Sequence, residues 1–259
     1  MIQSSPRLLT IACAFVYLFM YAPLFVLIAF SLTPAEYSVV WEGFTLKWYR
    51  AVFANKNIQE ALKVSLMVAI PCVLISTAIG TITAFALYRY RFFGRELFQS
   101  ILYIPLIMPD LVIGISLLLF YTSIRLELGI LTILLAHVSF SVPLATLVIM
   151  ARMQRIDRSL EDAAMDLGAD EWTTMRKVTL PLLKPGILAA ALLTFPWSFN
   201  DFVVTFFVSG VGSSTLPLRV YSMIRLGVSP MINALGTLIV VVPLIVVIIA
   251  VYLEKRTVS

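Results

Sequence analysis

Long stretches without charged side chains are the feature that most constrains the fold of this 259-residue chain. Four stretches of 24 to 28 residues contain no Asp, Glu, Lys or Arg, and two more contain a single acid each. They cover residues 8–35, 64–88, 97–124 with Asp110, 128–151, 185–218 with Asp201, and 226–253. A helix that crosses a bilayer needs about 20 mainly apolar residues, so each stretch is long enough. The sequence predicts an all-α polytopic membrane protein with six transmembrane helices.

The composition excludes a water-soluble fold. The chain is 61% apolar and 13% charged, whereas soluble domains are about 45–50% apolar and about 25% charged. Its net charge of +5 does not indicate nucleic-acid binding, because the basic residues form short clusters between apolar stretches. No linker-like segment divides the sequence, and we expect one transmembrane domain over residues 1–259.

The basic residues predict the orientation. With six spans, one side of the membrane receives 12 of the 19 Lys and Arg residues and the other side receives seven. The richer side contains Arg7, Arg89, Arg91, Arg95, Arg152, Arg155, Arg158, Arg176, Lys177, Lys184, Lys255 and Arg256. Because Lys and Arg are retained on the cytoplasmic side during insertion, both termini are expected to be cytoplasmic.

Proline recurs inside the apolar stretches, at positions 23, 71, 105, 109, 143, 196 and 243. Each proline removes a backbone donor and tends to bend its helix. Bends are more typical of a transporter than of a simple anchor, although simple packing kinks are the alternative.

The longest cytoplasmic loop, residues 152–185, predicts two short helices outside the membrane. Ser159 and Asp162 form a candidate capping box at the start of the first helix. Leu160, Ala163, Ala164 and Leu167 have the spacing of one helical face. Gly168 is expected to end this helix, Asp170 to cap the second, and Pro181 to stop it. Spacing alone leaves two interpretations, a docking surface for another protein and an amphipathic hairpin on the lipid surface.

The same loop resembles the "EAA" motif of type I ABC importer permeases, which reads E-A-A-x3-G-x9-I-x-L-P. The matching residues are Asp162, Ala163, Ala164, Gly168, Val178, Leu180 and Pro181, with Asp in place of Glu and Val in place of Ile. The resemblance implies a MetI-like permease fold. It also implies that the loop forms coupling helices which dock into a groove of a cytoplasmic ATPase.

Further segments resemble the permeases of spermidine/putrescine importers, and in particular their C-type subunits. These segments are residues 41–49, 87–92, 108–110 and 227–235. The resemblance implies a bacterial inner-membrane protein that transports polyamines. It further implies a second, different permease subunit, two copies of a cytoplasmic ATPase and an extracytoplasmic binding protein.

The sequence contains no Gly-x4-Gly-Lys-Ser/Thr phosphate loop. ATP is therefore expected to bind the partner ATPase, and this chain is expected to be a transport subunit without an ATPase site or cofactor of its own. No zinc-like cluster and no catalytic triad is present in the sequence. His137, the single histidine, is interpreted as a packing residue, and a proton relay is the alternative.

Two acids in the apolar stretches are candidates for a substrate pathway. A carboxylate near the bilayer centre costs about 2.5–3.5 kcal/mol on insertion scales, so such residues are often functional. Counted along straight helices, Asp110 and Asp201 lie roughly 20 and 22 Å from the inner ends of their spans. Asn200 stands beside Asp201, where related permeases often have a second acid. A structural role at a helix end or beside a basic residue is the alternative for each acid.

Tyr221 and Arg225 are four residues apart in a predicted short helix before the last span, and therefore share a face. They are candidates for an outer gate, and interfacial anchoring is the alternative for both.

Two other functions compete with polyamine import. One is import of another solute, such as an opine, ferric iron, thiamine or a phosphonate, by the same kind of importer. The other is secondary transport, for which a coupling loop has no use.

Overall fold

The structure is a computed structural model that describes residues 6–35, 41–227 and 229–258, and these residues form helices and no strands. The helices are α1 (Pro6–Phe30), α2 (Lys47–Ala54), α3 (Lys56–Arg89), α4 (Arg95–Ile107), α5 (Asp110–Ser123), α6 (Ile130–Met153), α7 (Ser159–Asp166), α8 (Glu171–Thr174), α9 (Leu180–Phe199), α10 (Val203–Val208), α11 (Leu216–Leu226) and α12 (Pro230–Val258). The all-α fold class predicted from the sequence is confirmed.

Each of the six apolar stretches contains a helix or a pair of helices. Among the described residues, four helices are long and apolar enough to cross a membrane: Leu9–Phe30, Lys56–Arg89, Ile130–Met153 and Glu171–Phe199. The pair α4 and α5 makes a fifth if it is counted as one span, and Pro230–Ile245 is a shorter apolar helix. Six spans and cytoplasmic termini therefore stay a prediction.

The third apolar stretch is sharply broken. Helices α4 and α5 are bent by 108° at residues 108–109. Proline disfavours helical backbone in the residue before it, and Met108 is accordingly extended, with φ −70° and ψ 141°. A straight third span is thus wrong, and Asp110 begins a new helix.

The chain forms two compact units, and the single domain expected over residues 1–259 stays a prediction. The first unit comprises Met1–Gln59 and Arg219–Ser259. In it α12 packs on α1 and α2. A Cβ added to Gly236 of α12 would lie 3.2 Å from Leu27 of α1, so the two helices approach closely. Tyr49 of α2 bonds to Ser31 just beyond α1, with 2.7 Å between the hydroxyl oxygens.

The second unit, Glu60–Leu218, contains two apolar clusters. In one cluster α6 packs on α9 and on α3, and in the other α5 packs on α10 and α6. Gly80 permits the contact between α3 and α6, because a Cβ there would lie 2.8 Å from the Cβ of Ala145. Small residues at helix contacts are typical of membrane bundles, where close backbone approach replaces the hydrophobic effect as the source of packing energy.

Candidate functional site

The loop between α6 and α9 forms an elbow, defined here as residues 159–179. Its first helix, α7, ends at Asp166, and Gly168 follows with φ +89°. The amide groups of Gly168 and Ala169 donate to the carbonyls of Met165 and Ala164, which satisfies the end of the helix. The prediction that Gly168 ends this helix is confirmed.

The starts of the two elbow helices are capped by aspartates. The Oδ1 atom of Asp170 accepts the N–H of Thr173 at 3.0 Å, as predicted. The hydrogen bonds to Thr173 lower the pKa of Asp170. At α7 the predicted pairing of Ser159 with Asp162 is wrong. Asp157 lies two residues before Ser159 and accepts its N–H at 3.0 Å, so the shorter Asx contact replaces the capping box.

Pro181 does not stop the second helix. Residues Glu171–Phe199 form one continuous helix of 29 residues, in which a π-helical turn, Met175–Thr179, joins α8 to α9. The π-helical turn lies just before Pro181, where its altered hydrogen-bond pattern accommodates a residue that lacks an N–H. The second elbow helix is therefore the beginning of a long apolar helix and not a separate element.

The elbow exposes apolar side chains. Leu167 is 90% exposed and Trp172 is 70% exposed. Most of the motif residues are also accessible: Asp162, Ala163, Gly168, Leu180 and Pro181 are exposed, and Ala164 and Val178 are partly buried. Exposed apolar groups beside small residues form a surface that another protein can approach closely.

A buried carboxylate that sequence reasoning missed attaches the elbow to α3. Glu161 is 7% exposed and forms an ion pair with Arg89, the last residue of α3. Its other oxygen accepts the hydroxyl of Thr179 at 2.6 Å. A second contact places the guanidinium of Arg158 over the ring of Tyr88, 4.9 Å from its centroid. Glu161 directly precedes the motif residue Asp162, and a cluster of acids in a loop gives no sign of which one is buried.

Asp201 lies in a break between α9 and α10. Its Oδ2 atom accepts the backbone N–H and the hydroxyl of Thr205, at 2.8 and 2.7 Å. The same oxygen lies 3.3 Å from Nε2 of His137. Asp201 is thus bonded to a helix start and beside a histidine, which is the structural alternative left open by the sequence. Asn200, the last residue before it, is exposed and caps the end of α9.

Asp110 is exposed at the first position of α5, directly after the 108° break. Both acids therefore follow a helix break: Asp110 begins α5, and Asp201 lies two residues before α10 and accepts an N–H of its first turn, where the helix dipole favours a negative charge. Helices α5 and α10 are in close contact, because a Cβ added to Gly114 of α5 would lie 3.3 Å from the Cα of Val204 of α10. The depth calculated along a straight third span does not apply, because Asp110 lies after the 108° bend.

Tyr221 and Arg225 share a face of α11, as predicted. The guanidinium of Arg225 lies over the ring of Tyr221, 5.8 Å from its centroid. Both residues belong to the first compact unit, whereas Asp110, Asn200 and Asp201 belong to the second. Within the second unit, the helices that follow Asp110 and Asp201 are in contact, and His137, interpreted from the sequence as a packing residue, lies beside Asp201.

Residues 76–259 match the family described as binding-protein-dependent transport system inner membrane component. The spermidine/putrescine transport system permease protein PotC of Escherichia coli (strain K12) is 38% identical over 233 residues, which are 90% of this chain and 88% of that protein. The putrescine transport system permease protein PotI of the same organism is 40% identical over 245 residues, 92% and 87% of the two chains.

Solved structures agree in fold. A crystal structure of a bacterial ABC transporter that imports the acidic polysaccharide alginate superposes with a TM-score of 0.76 at 15% identity, covering 98% of this chain and 95% of that chain. A crystal structure of an amino acid ABC transporter with histidines gives a TM-score of 0.64 at 19% identity, covering 82% and 100%. The chain belongs to the binding-protein-dependent transport system inner membrane components, as a type I ABC importer permease of the inner membrane.

Proposed function

We propose that this chain is the transmembrane permease subunit of an ATP-driven importer of polyamines, with spermidine and putrescine as its substrates. The exposed elbow at Gly168 carries the first half of the proposal, because a surface of that kind is needed where an ATPase must dock. The substrate is supported by the two relatives named for these solutes, each matched over about nine tenths of this chain.

The elbow is the docking surface for the cytoplasmic ATPase. Its small residues, Ala163 and Ala164, permit close approach, and Leu167 and Trp172 supply apolar contact area. The complete importer contains a second, different permease subunit, two ATPase copies and an extracytoplasmic binding protein. ATP is bound and hydrolysed by the ATPase copies, and both termini of this chain lie in the cytoplasm.

Asp110 and Asp201, with Asn200 beside them, recognise the ammonium groups of the passing substrate. The contact between α5 and α10 supports one shared site, since a polyamine carries separated positive charges. The Oδ2 atom of Asp201 is occupied by Thr205 and His137, and in the described part of the chain its Oδ1 atom has no hydrogen bond. Such a site replaces part of the hydration that the cation loses on entering the protein.

Tyr221 and Arg225 form an outer gate. Their mutual contact leaves an aromatic face and a cationic group on one side of α11. An ammonium substrate competes with the guanidinium for the face of the aromatic ring.

The test is ATP hydrolysis by the assembled importer in proteoliposomes with its binding protein. Spermidine and putrescine should each stimulate hydrolysis and accumulate inside the vesicles, while opines, ferric iron, thiamine and phosphonates should not. Stimulation by one of those other solutes alone would refute the polyamine assignment. Uptake that needs an ion gradient and no ATP would refute the importer itself and identify a secondary transporter.

A further inference from the structure

A buried histidine connects the two helices that flank the break at Asp201. His137 lies in α6 and is 1% exposed. Its Nδ1 atom is 2.7 Å from the hydroxyl oxygen of Ser198 in α9, and its Nε2 atom is 2.9 Å from that of Thr205 in α10. One imidazole ring therefore bonds to both sides of the break, although 61 and 68 residues separate it from its partners.

The hydrogen bonds of this cluster have a consistent direction. The hydroxyl of Thr205 donates to Oδ2 of Asp201, because an ionised carboxylate only accepts. The oxygen of Thr205 then accepts from Nε2–H of His137, and the hydroxyl of Ser198 donates to Nδ1. With a neutral ring protonated on Nε2, a tautomer assigned from the network, every donor has an acceptor. The chain of bonds runs from Ser198 through His137 and Thr205 to the carboxylate, and each bond polarises the next.

The cluster holds the carboxylate by one oxygen. Oδ2 of Asp201 receives the two donors of Thr205 and faces Nε2 of His137 at 3.3 Å. A carboxylate fixed in this way cannot rotate without breaking bonds that are shielded from water. The other oxygen, Oδ1, therefore keeps one position as long as α9 and α10 keep their arrangement at the break.

We propose that His137 is a positioning residue. Its hydrogen bonds to Ser198 and Thr205 hold α9 and α10 in one arrangement at the break, which we call the lock. The lock presents Oδ1 of Asp201 to the ammonium group of the substrate. The second part rests on the proposed function. The first part concerns the break alone and does not depend on which solute is transported.

Two variants separate these roles from general packing. His137→Leu fills a similar volume and removes both ring nitrogens, whereas His137→Gln keeps one donor and one acceptor. Thr146→Val is the matched control. Thr146 is fully buried in the same helix, and its hydroxyl bonds only to the carbonyl of Val142 in its own helix.

The first measurement is independent of the solute. Val204→Cys, in a protein without the two native cysteines, reports on the break through its rate of thiol labelling, because Val204 at the start of α10 is 1% exposed and reacts only when the break opens. In the assembled importer, His137→Leu should increase this rate about ten-fold, as expected for the loss of a buried hydrogen bond to a charged network. His137→Gln should restore most of the difference, and Thr146→Val should have the wild-type rate. An unchanged rate in His137→Leu, or an equal increase in Thr146→Val, would overturn the lock.

The second measurement is putrescine and spermidine uptake by the same importer. His137→Leu should raise KM about ten-fold with kcat and basal ATP hydrolysis near wild type. Added to Asp201→Asn, it should cause no further increase in KM, because no charge is then left for His137 to position. Additive effects, or a loss of kcat alone, would overturn the positioning role. A wild-type importer that ignores both polyamines would instead refute the proposed function, and the labelling result would still decide the lock.

Discussion

The ion pair between Glu161 and Arg89 makes a quantitative prediction about the elbow. The change is Glu161→Gln, which preserves the size of the side chain and an oxygen that accepts the hydroxyl of Thr179. It removes the negative charge that faces Arg89. Because the pair joins α7 to the end of α3, we expect the elbow to open more often while the membrane-embedded helices stay folded.

The exposure of the two side chains sets the size of the effect. Removing one partner of a fully buried ion pair costs about 3–5 kcal/mol. The side chain of Glu161 is 9% exposed and that of Arg89 is 27% exposed, so water partly solvates the guanidinium after the change. The retained bond to Thr179 reduces the cost further. We expect the free energy of local opening to fall by about 1–2 kcal/mol, which raises the open population about 5–30-fold.

Limited proteolysis measures that population. Arg176 and Lys177 lie exposed in the π-helical turn, and trypsin cleaves after them only when the turn opens. At low protease concentration the cleavage rate follows the population of the open form. Mass spectrometry of the fragments assigns each cleavage to these two positions.

Asp166→Asn is the matched control, because Asp166 is an exposed acid at the other end of the same helix. Its cleavage rate should stay within about two-fold of wild type, as is usual for surface substitutions. Arg89→Gln should accelerate cleavage as Glu161→Gln does, and the double variant should be no faster than either. Wild-type cleavage of Glu161→Gln would refute the attachment of the elbow to α3 through this pair.

Three further changes test other parts of the molecule. Gly168→Val should abolish ATPase association, measured by pull-down, in a normally inserted protein, because a positive φ is strained for a β-branched residue. Gly168→Asn should retain association, and normal association of the Val variant would contradict the docking role. Phe93→Cys and Ser159→Cys should react with an impermeant thiol reagent only from the cytoplasm, and labelling in intact cells would overturn the orientation. Asp110→Asn should raise the KM of polyamine uptake without lowering thermal stability, whereas Asp201→Asn should change both; unchanged uptake in the double variant would exclude the acids from the pathway.

Sequence patterns predicted the elements whose causes are local. Gly168 and Asp170 act within one turn of their own positions, and the apolar stretches are recognisable by length alone. The consequences of proline were less predictable, because they depend on neighbours. Pro23 and Pro71 lie inside continuous helices, while Pro109 follows an extended residue at a 108° bend.

The candidate site was only partly predictable from the sequence, because its contacts also depend on residues that are distant in the chain. Asp201 stood out as an acid in an apolar stretch, but its contacts come from Thr205, four residues away, and from His137, 64 residues away. Nothing in a single sequence pairs such distant residues. Glu161 was missed because its burial depends on the end of α3, and the local pattern around it contains five more acids within ten residues on either side.

The uninterrupted helix Glu171–Phe199 acts as a mechanical lever. Its 29 residues span about 43 Å, so a rotation of about 5° at one end displaces the other end by about 4 Å. The elbow occupies one end of this lever, and Asn200 and Asp201 directly follow the other. A tilt imposed at the elbow therefore reaches Asp201 through covalent structure alone.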